Sequence, residues 1–423
     1  MNGLGRAAIV TVAAIAGAAS AQERVPGGPV AVYWVSAQTS SGFMAGMMGG
    51  GGGGRPGMGA MMGMMMRGGP DPDAVNHTLR LQLGSNRRPD GAPQAEHDPP
   101  AGLNAGPALP LVTPVQEPSQ PVEETPGPPQ EYRRPHGRML IFWGCGAHAG
   151  PGQPYVIDFA RVGQDPQAFA GVMRGLAVTP MQPPSPGRFA TYGEWPNAKS
   201  RATVPPNGSL VGDHLVRGDY TPDIRFALTP DQDFMAPLKL LRNERTPTGA
   251  VALAWNPVAT ALGYFASAMG GSGEDTVVMW TSSASQAAAF ALPDYLAPSE
   301  TRRLVASGHL MPPARTECLV PQEAVQAMGR GGLVQMAAYG DEANFAWPPR
   351  PKRLEWVVKV RYRSTTSGLL GQADPMGGGH RGRGGYGEDD GEGAGDAQQQ
   401  QQQQQQQHRG PGSILHGLGG FIP

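Results

Sequence analysis

The sequence is poor in charge, in cysteine and in long apolar runs. Only 16% of its 423 residues are charged, and 33 basic residues against 34 acidic ones give a net charge of -1. A chain this close to neutrality offers no electrostatic reason to expect nucleic acid as a partner. Beyond residue 21, no apolar stretch approaches the roughly 20 residues that cross a bilayer, so we expect no transmembrane segment in the mature chain.

Recognisable catalytic and metal-binding motifs are also missing. The nine histidines are scattered, without the H-x-H or H-E-x-x-H spacing that common metal sites use. The run Gly270–Gly273 continues with Glu274, where a nucleophile elbow needs glycine. A second run, Gly144–Gly150, leads to Pro151 rather than into a helix, which indicates a hairpin loop and not a dinucleotide site. We therefore predict no catalytic residues and no enzymatic activity.

The N-terminus has the features of a cleaved export signal. Arg6 supplies a positive charge, Ala7–Ala18 form a short apolar run, and Ala19-Ser20-Ala21 matches the A-x-A cleavage pattern. The alternatives are an N-terminal helix of the mature fold or an uncleaved anchor. We expect a signal peptide at residues 1–21, cleavage after Ala21, and a periplasmic or extracellular protein.

The chain has two cysteines, Cys145 and Cys318. In an oxidising compartment they allow one intramolecular disulfide, which would join segments 173 residues apart. In the chain-entropy account, a loop of that length stabilises a fold by about 4–5 kcal/mol. The alternative is two separately buried thiols.

Glycine and proline together make up about a quarter of the chain, with 63 and 44 residues. They concentrate in a Gly/Met-rich insertion at 40–69, a proline-rich linker at 84–135, and a tail at 368–423 that contains an acidic run and ten consecutive glutamines. Such composition buries too little apolar surface to offset the entropy of ordering. We predict that these segments are long, disordered and of low complexity.

The insertion region is rich in methionine. Thioether sulfur is a soft ligand that suits Cu(I), and M-x-x-M and M-x-M spacings allow several sulfurs to meet one ion. A nonspecific apolar surface or a Gly/Met repeat without function explains the same residues. Apart from this Cu(I) site, no cofactor is expected. The nine candidate ligands are Met44, Met47, Met48, Met58, Met61, Met62, Met64, Met65 and Met66.

The remaining segments carry short β-branched and aromatic runs bounded by turn residues, which predict strands. A β-hairpin interrupted by the insertion is expected within 22–83, a β-rich region at 138–228, and a β-sandwich at 236–367. Two short helices are predicted, at Ser299–Ser307 and at Pro321–Gly329. The predicted fold class is mainly β, an antiparallel sandwich with one or two short helices.

One stretch resembles a known family. Gly249–Val258 followed by Ala261–Phe265 is similar to the B–C strand region of fibronectin type III and related immunoglobulin-like sandwich domains. The resemblance implies that Trp255 is the core tryptophan after strand B and Tyr264 the strand C aromatic. The sequence departs from the family after Trp280, where about fifty residues precede the next clear strand. More loosely, the whole chain resembles secreted bacterial proteins, which implies no activity.

These features favour a noncatalytic exported protein that binds or scaffolds a protein or carbohydrate of the cell envelope. Trp195 and Trp347 lie in turn-rich contexts and are candidate binding aromatics, although tryptophans also anchor cores. The first alternative is a periplasmic Cu(I)-handling protein that uses the Met-rich segment. The second is a wall or polysaccharide hydrolase, for which no acid/base pair is identifiable.

Overall fold

The computed structural model describes residues 28–48, 74–114, 137–162, 176–200, 202–271, 273, 275–329, 331–349 and 353–372. Four predicted segments lie outside the described residues in whole or in large part: the expected signal peptide with cleavage after Ala21, most of the Gly/Met insertion, the second part of the linker and the glutamine-rich tail. The predictions made for those segments therefore stay predictions.

The described chain is mainly β and forms several sheets, as predicted. The strands are β1 (Ala31–Ser41), β2 (Val75–Ser85), β3 (Ala95–Asp98), β4 (Leu109–Pro110), β5 (Arg138–Trp143), β6 (Tyr155–Asp158), β7 (Thr191–Trp195), β8 (Gly212–Gly218), β9 (Ile224–Leu228), β10 (Leu240–Arg245), β11 (Val251–Trp255), β12 (Ala261–Gly271), β13 (Thr276–Thr281), β14 (Glu317–Val320), β15 (Leu333–Trp347) and β16 (Trp356–Leu369). The helices are α1 (Gly42–Met48), α2 (Phe159–Val162), α3 (Ala288–Ala291), α4 (Pro298–Ala306) and α5 (Gln322–Met328), with 3-10 turns at Ala101–Leu103 and Pro230–Gln232.

The largest sheet has nine strands in the order β6-β5-β13-β12-β15-β16-β1-β2-β7. It is mixed rather than antiparallel throughout, because β1 pairs with β16, and β5 with β13, in parallel. Parallel neighbours need a long connection, and the chain supplies one in both cases. The prediction of a purely antiparallel fold is therefore wrong for the whole sheet, although every pair formed among β10 to β16 is antiparallel.

Two smaller sheets form the second layer, β10-β11-β14 and β4-β3-β8-β9. Alternate residues of the nine-stranded sheet, such as Val358, Val360 and Tyr362 on β16, pack against these sheets in one hydrophobic core. We call this side of the large sheet its inner face. The other side, the outer face, is covered at β12 and β15 by α4, whose Leu304 is fully buried in a second cluster.

The proposed regional boundaries change once the strands are paired. The regions 138–228 and 236–367 are not separate sheets, because β5, β6 and β7 join the same sheet as β12, β13, β15 and β16. The linker predicted at 84–135 also contains regular structure, since β3 and β4 lie within residues 95–110. Leu103 and Leu109 there are fully buried, which offsets the cost of ordering. Pro110 is tolerated because β4 is an edge strand.

Several local predictions are confirmed. β1 and β2 pair in antiparallel register from Ala31 opposite Ser85 to Ser41 opposite Val75. The two short helices are present as α4 and α5, and Gly329 ends α5 with a φ of 69°, a conformation that favours glycine.

In the part of the chain that the structure describes, no helix is long and apolar enough to cross a membrane.

Candidate functional site

The outer face leaves a band of polar and aromatic side chains uncovered by α4. We call this band the outer strip. It contains Trp34 and Ser36 on β1, Arg80 on β2, Glu194 on β7, Glu342 on β15, Lys359, Arg361 and Arg363 on β16, and Asp294 and Tyr295 from the segment before α4.

Strand alternation places these residues together. On β16 the sequence Lys-Val-Arg-Tyr-Arg sends Val360 and Tyr362 into the core, and sends Lys359, Arg361 and Arg363 to the outer face. The register then sets Arg361 beside Ser36 on one side and opposite Glu342 on the other.

Arg361 occupies the centre of the outer strip. Its guanidinium carbon lies 5.0 Å from the Trp34 ring centre and 4.3 Å from the Tyr295 ring centre, which are cation–π distances. Its Nε donates a hydrogen bond of 2.7 Å to Ser36 Oγ. Burial lowers the pKa of Arg361, and burial raises the pKa of Tyr295 to about 12.

Each acidic residue of the outer strip is paired with a cation. Glu194 accepts from Arg80 at 3.1 Å, and it also accepts a 2.7 Å hydrogen bond from the Tyr192 hydroxyl. Glu342 pairs with Lys359, and Asp294 pairs with Arg363. Among the described residues, none forms an ion pair with Arg361.

Hydrogen-bonding capacity in the strip is not used up. Within the described chain, Arg363 Nε and Glu342 Oε2 are buried without a partner. The terminal nitrogens of Arg361 donate to no described residue, because only its Nε is bonded. The terminal nitrogens of Arg361 are therefore the donors of the strip that remain for a further polar contact.

A second polar cluster lies in the core between two sheets. Tyr33, His97 and His214 are almost fully buried. The Tyr33 hydroxyl is 2.6 Å from His97 Nδ1, and His97 Nε2 is 2.9 Å from His214 Nδ1. His214 Nε2 is 2.8 Å from the Leu210 carbonyl oxygen, and the ring of Phe226 stacks on His214 at 4.6 Å.

The carbonyl end of this cluster determines the direction of every hydrogen bond. A carbonyl only accepts, so His214 Nε2 carries the proton, and the neutral ring then accepts at Nδ1. His97 Nε2 therefore donates to His214, and the Tyr33 hydroxyl donates to His97 Nδ1. Burial lowers the pKa of both histidines, with the neighbouring His214 lowering that of His97 further, so the neutral chain is the stable form.

The structure joins Cys145 and Cys318 in a disulfide, with a Cα–Cα distance of 5.2 Å. Cys145 follows β5 of the large sheet and Cys318 lies in β14 of the three-stranded sheet. The bond therefore ties the two layers together. The Met311 sulfur is 3.9 Å from Cys145 Sγ.

The two candidate tryptophans differ in exposure. Trp195 is only 2% exposed and its Nε1 donates to Ser200 Oγ at 2.8 Å, so it is a core residue and cannot present its ring to a ligand. Trp347 is 49% exposed. It alternates with outward Ala346 and lies on the inner side of β15, away from the outer strip.

The Cu(I) prediction is not tested by the structure. Met44, Met47 and Met48 belong to α1, whereas Met58 to Met66 lie outside the described residues. Among the described residues, no group of three or more His, Cys, Asp or Glu side chains is placed to hold a metal ion.

The outer strip was missed at the sequence level. Its signal was present in the alternation of Lys359, Arg361 and Arg363 with apolar residues, but alternation does not reveal which strands become neighbours. Trp34 looks like one more apolar strand residue in the sequence, and only the pairing of β1 with β16 brings Arg361 onto its ring. No family model, curated protein or solved structure matches the chain.

Proposed function

We propose that this protein is a noncatalytic, exported binding protein of the cell envelope or extracellular space, with the outer strip as its recognition surface. The observation that carries the proposal is Arg361, a half-buried guanidinium on the outer face of the large sheet, with no counter-ion among the described residues. Binding is favoured over hydrolysis because the strip's carboxylates, Glu194, Asp294 and Glu342, are each engaged by a cation.

The proposal includes a finer fold assignment, a fibronectin type III-like sandwich formed by β10 to β16. Its support is the order β10-β11-β14 in one sheet and β13-β12-β15-β16 in the other, seven antiparallel strands in two layers. Trp255 and Tyr264 meet across these layers with ring centres 5.6 Å apart. In this view β1, β2 and β7 extend one edge of the sandwich, and β5 and β6 extend the other.

Export is expected to leave a mature chain that begins at Gln22. The A-x-A pattern ending at Ala21 is the reason. N-terminal sequencing and intact mass of the protein recovered from the periplasm or the medium of an expressing bacterium check this. A chain that retains Met1 in the cytoplasmic fraction would contradict the exported location.

Recognition through the outer strip is expected to depend on Tyr295. The mature protein should co-sediment with isolated cell envelopes, and Tyr295→Ala should reduce the bound fraction about tenfold, since a buried aromatic contact is commonly worth 1–2 kcal/mol. Trp347→Ala is the matched control, because it removes an exposed aromatic from the other side of the sheet. If Trp347→Ala lost binding and Tyr295→Ala did not, the outer strip would not be the recognition surface.

A further inference from the structure

We propose that Arg361 binds an oxyanion carried by an acidic polysaccharide. The inference rests on the proposed function, since it names the ligand class of the outer strip. It starts from the charges there. The strip holds four cations, and three of them, Arg80, Lys359 and Arg363, are paired with its three carboxylates. Within the described chain, Arg361 is the cation left without a counter-charge.

The surroundings of Arg361 determine which kind of anion could supply its missing counter-charge. A half-buried charge without a counter-ion is unfavourable, and the aromatic rings of Trp34 and Tyr295 compensate it only in part. The bond from Nε to Ser36 Oγ fixes the orientation of the guanidinium plane. Its terminal nitrogens are left to donate two parallel hydrogen bonds, the arrangement with which arginine binds a carboxylate, sulfate or phosphate group.

The surroundings favour an extended ligand with widely spaced charges. Arg361 is the one unpaired cation of the strip, and Arg80, which pairs with Glu194, lies two strands away, about 10 Å by strand spacing. Nucleic acid carries closely spaced phosphates and is bound by many unpaired cations, whereas a single one is present here. Two uncharged side chains on the same face, Gln38 opposite Arg363 and Asn344 opposite Lys359, carry donors and acceptors that suit the hydroxyl groups of a sugar chain.

The test measures binding of the mature protein to immobilised polygalacturonate, whose sugars carry carboxylates. Its fully methyl-esterified form is the uncharged comparison, and dextran sulfate and polyglutamate are the other ligands. Wild type should bind polygalacturonate and not the ester. Arg361→Gln should weaken binding about 10- to 100-fold, the usual value of a charge-assisted hydrogen-bonded pair.

Two variants separate the anion site from general effects. Arg361→Lys should fall between wild type and Arg361→Gln, because it keeps the charge but loses the planar fork. Arg225→Gln, an exposed arginine of the four-stranded sheet that pairs with Asp223, should bind like wild type. Thermal unfolding of each variant shows that the fold is retained, and Arg361→Lys keeps the test valid if Arg361→Gln does not fold.

The outcomes are distinct. Equal affinity of wild type and Arg361→Gln, or equal binding of the esterified polymer, would overturn the oxyanion site. Preference for dextran sulfate would assign sulfate instead of carboxylate as the oxyanion and support the site, whereas preference for polyglutamate would indicate an acidic protein and overturn the polysaccharide. Envelope binding that needs Tyr295 but not Arg361 would remove this inference and leave the proposed function intact. Absence of envelope binding would remove the proposed function itself.

Discussion

Loss of the Cys145–Cys318 disulfide is expected to lower the free energy of unfolding by about 5 kcal/mol. The bond closes a loop of 173 residues, and restricting so long a loop in the unfolded chain accounts for a value of this size. The bond also joins the large sheet to the three-stranded sheet, so its removal frees the two layers to separate. Urea unfolding of the oxidised protein and of the Cys145→Ser/Cys318→Ser variant measures the difference.

Reduction of the wild-type protein provides the matched comparison. Under a dithiol reductant it should unfold at the same urea concentration as the double variant, and the variant should not respond to the reductant. An unchanged urea midpoint after complete reduction would show that the bond contributes no stability.

Replacement of His97 by leucine is expected to lower the free energy of unfolding by roughly 2–6 kcal/mol. The substitution leaves the Tyr33 hydroxyl and His214 Nδ1 buried without partners, and each such group costs about 1–3 kcal/mol. Tyr33→Phe is the graded control, because it leaves only one group, His97 Nδ1, without its partner and should cost about 1–3 kcal/mol. Chemical unfolding at pH 7.5 measures both. Equal stability of His97→Leu and wild type would refute the role of this cluster in joining β1 to β3 and β8.

The same cluster makes stability depend on pH. Burial lowers the folded-state pKa of His97 and of His214. Below a pH of about 6.5, the two histidines are therefore protonated in the unfolded chain while they are still neutral in the folded chain. Stability is therefore complete above that pH and falls as the pH drops from 6.5 toward the folded-state pKa values. His97→Leu should show a smaller loss between pH 7.5 and 5.5. His77 and His309, whose pKa values are also lowered by burial, account for part of what remains.

The fold was partly predictable, for reasons that particular elements illustrate. β1 and β2 were recognised because alternation and β-branched residues are local signals, and α5 because Gly329 marks its end. β3 and β4 were missed because proline-rich composition indicates a linker, whereas the burial of Leu103 and Leu109 is a property of the packed chain. The parallel pairing of β1 with β16 has no local signature at all.

The sites follow the same division. Two cysteines in a chain that is expected to be exported already suggested their bond. The Arg361 site and the Tyr33–His97–His214 chain were not foreseen, because their members are far apart in sequence and individually ordinary. Trp195 was misread as a binding aromatic since a turn-rich context says nothing about what later packs over a ring.

Short-range properties were enough to establish that the chain is β-rich, that its N-terminus matches an export signal, and which residue types alternate on each strand. These properties depend only on residues a few positions apart, so the amino-acid sequence is enough to predict them. Strand order, the two layers, the position of Arg361 between Trp34 and Tyr295, and the buried histidine chain arose only on folding. Each depends on which distant surfaces exclude water together, and that is settled by packing of the whole chain.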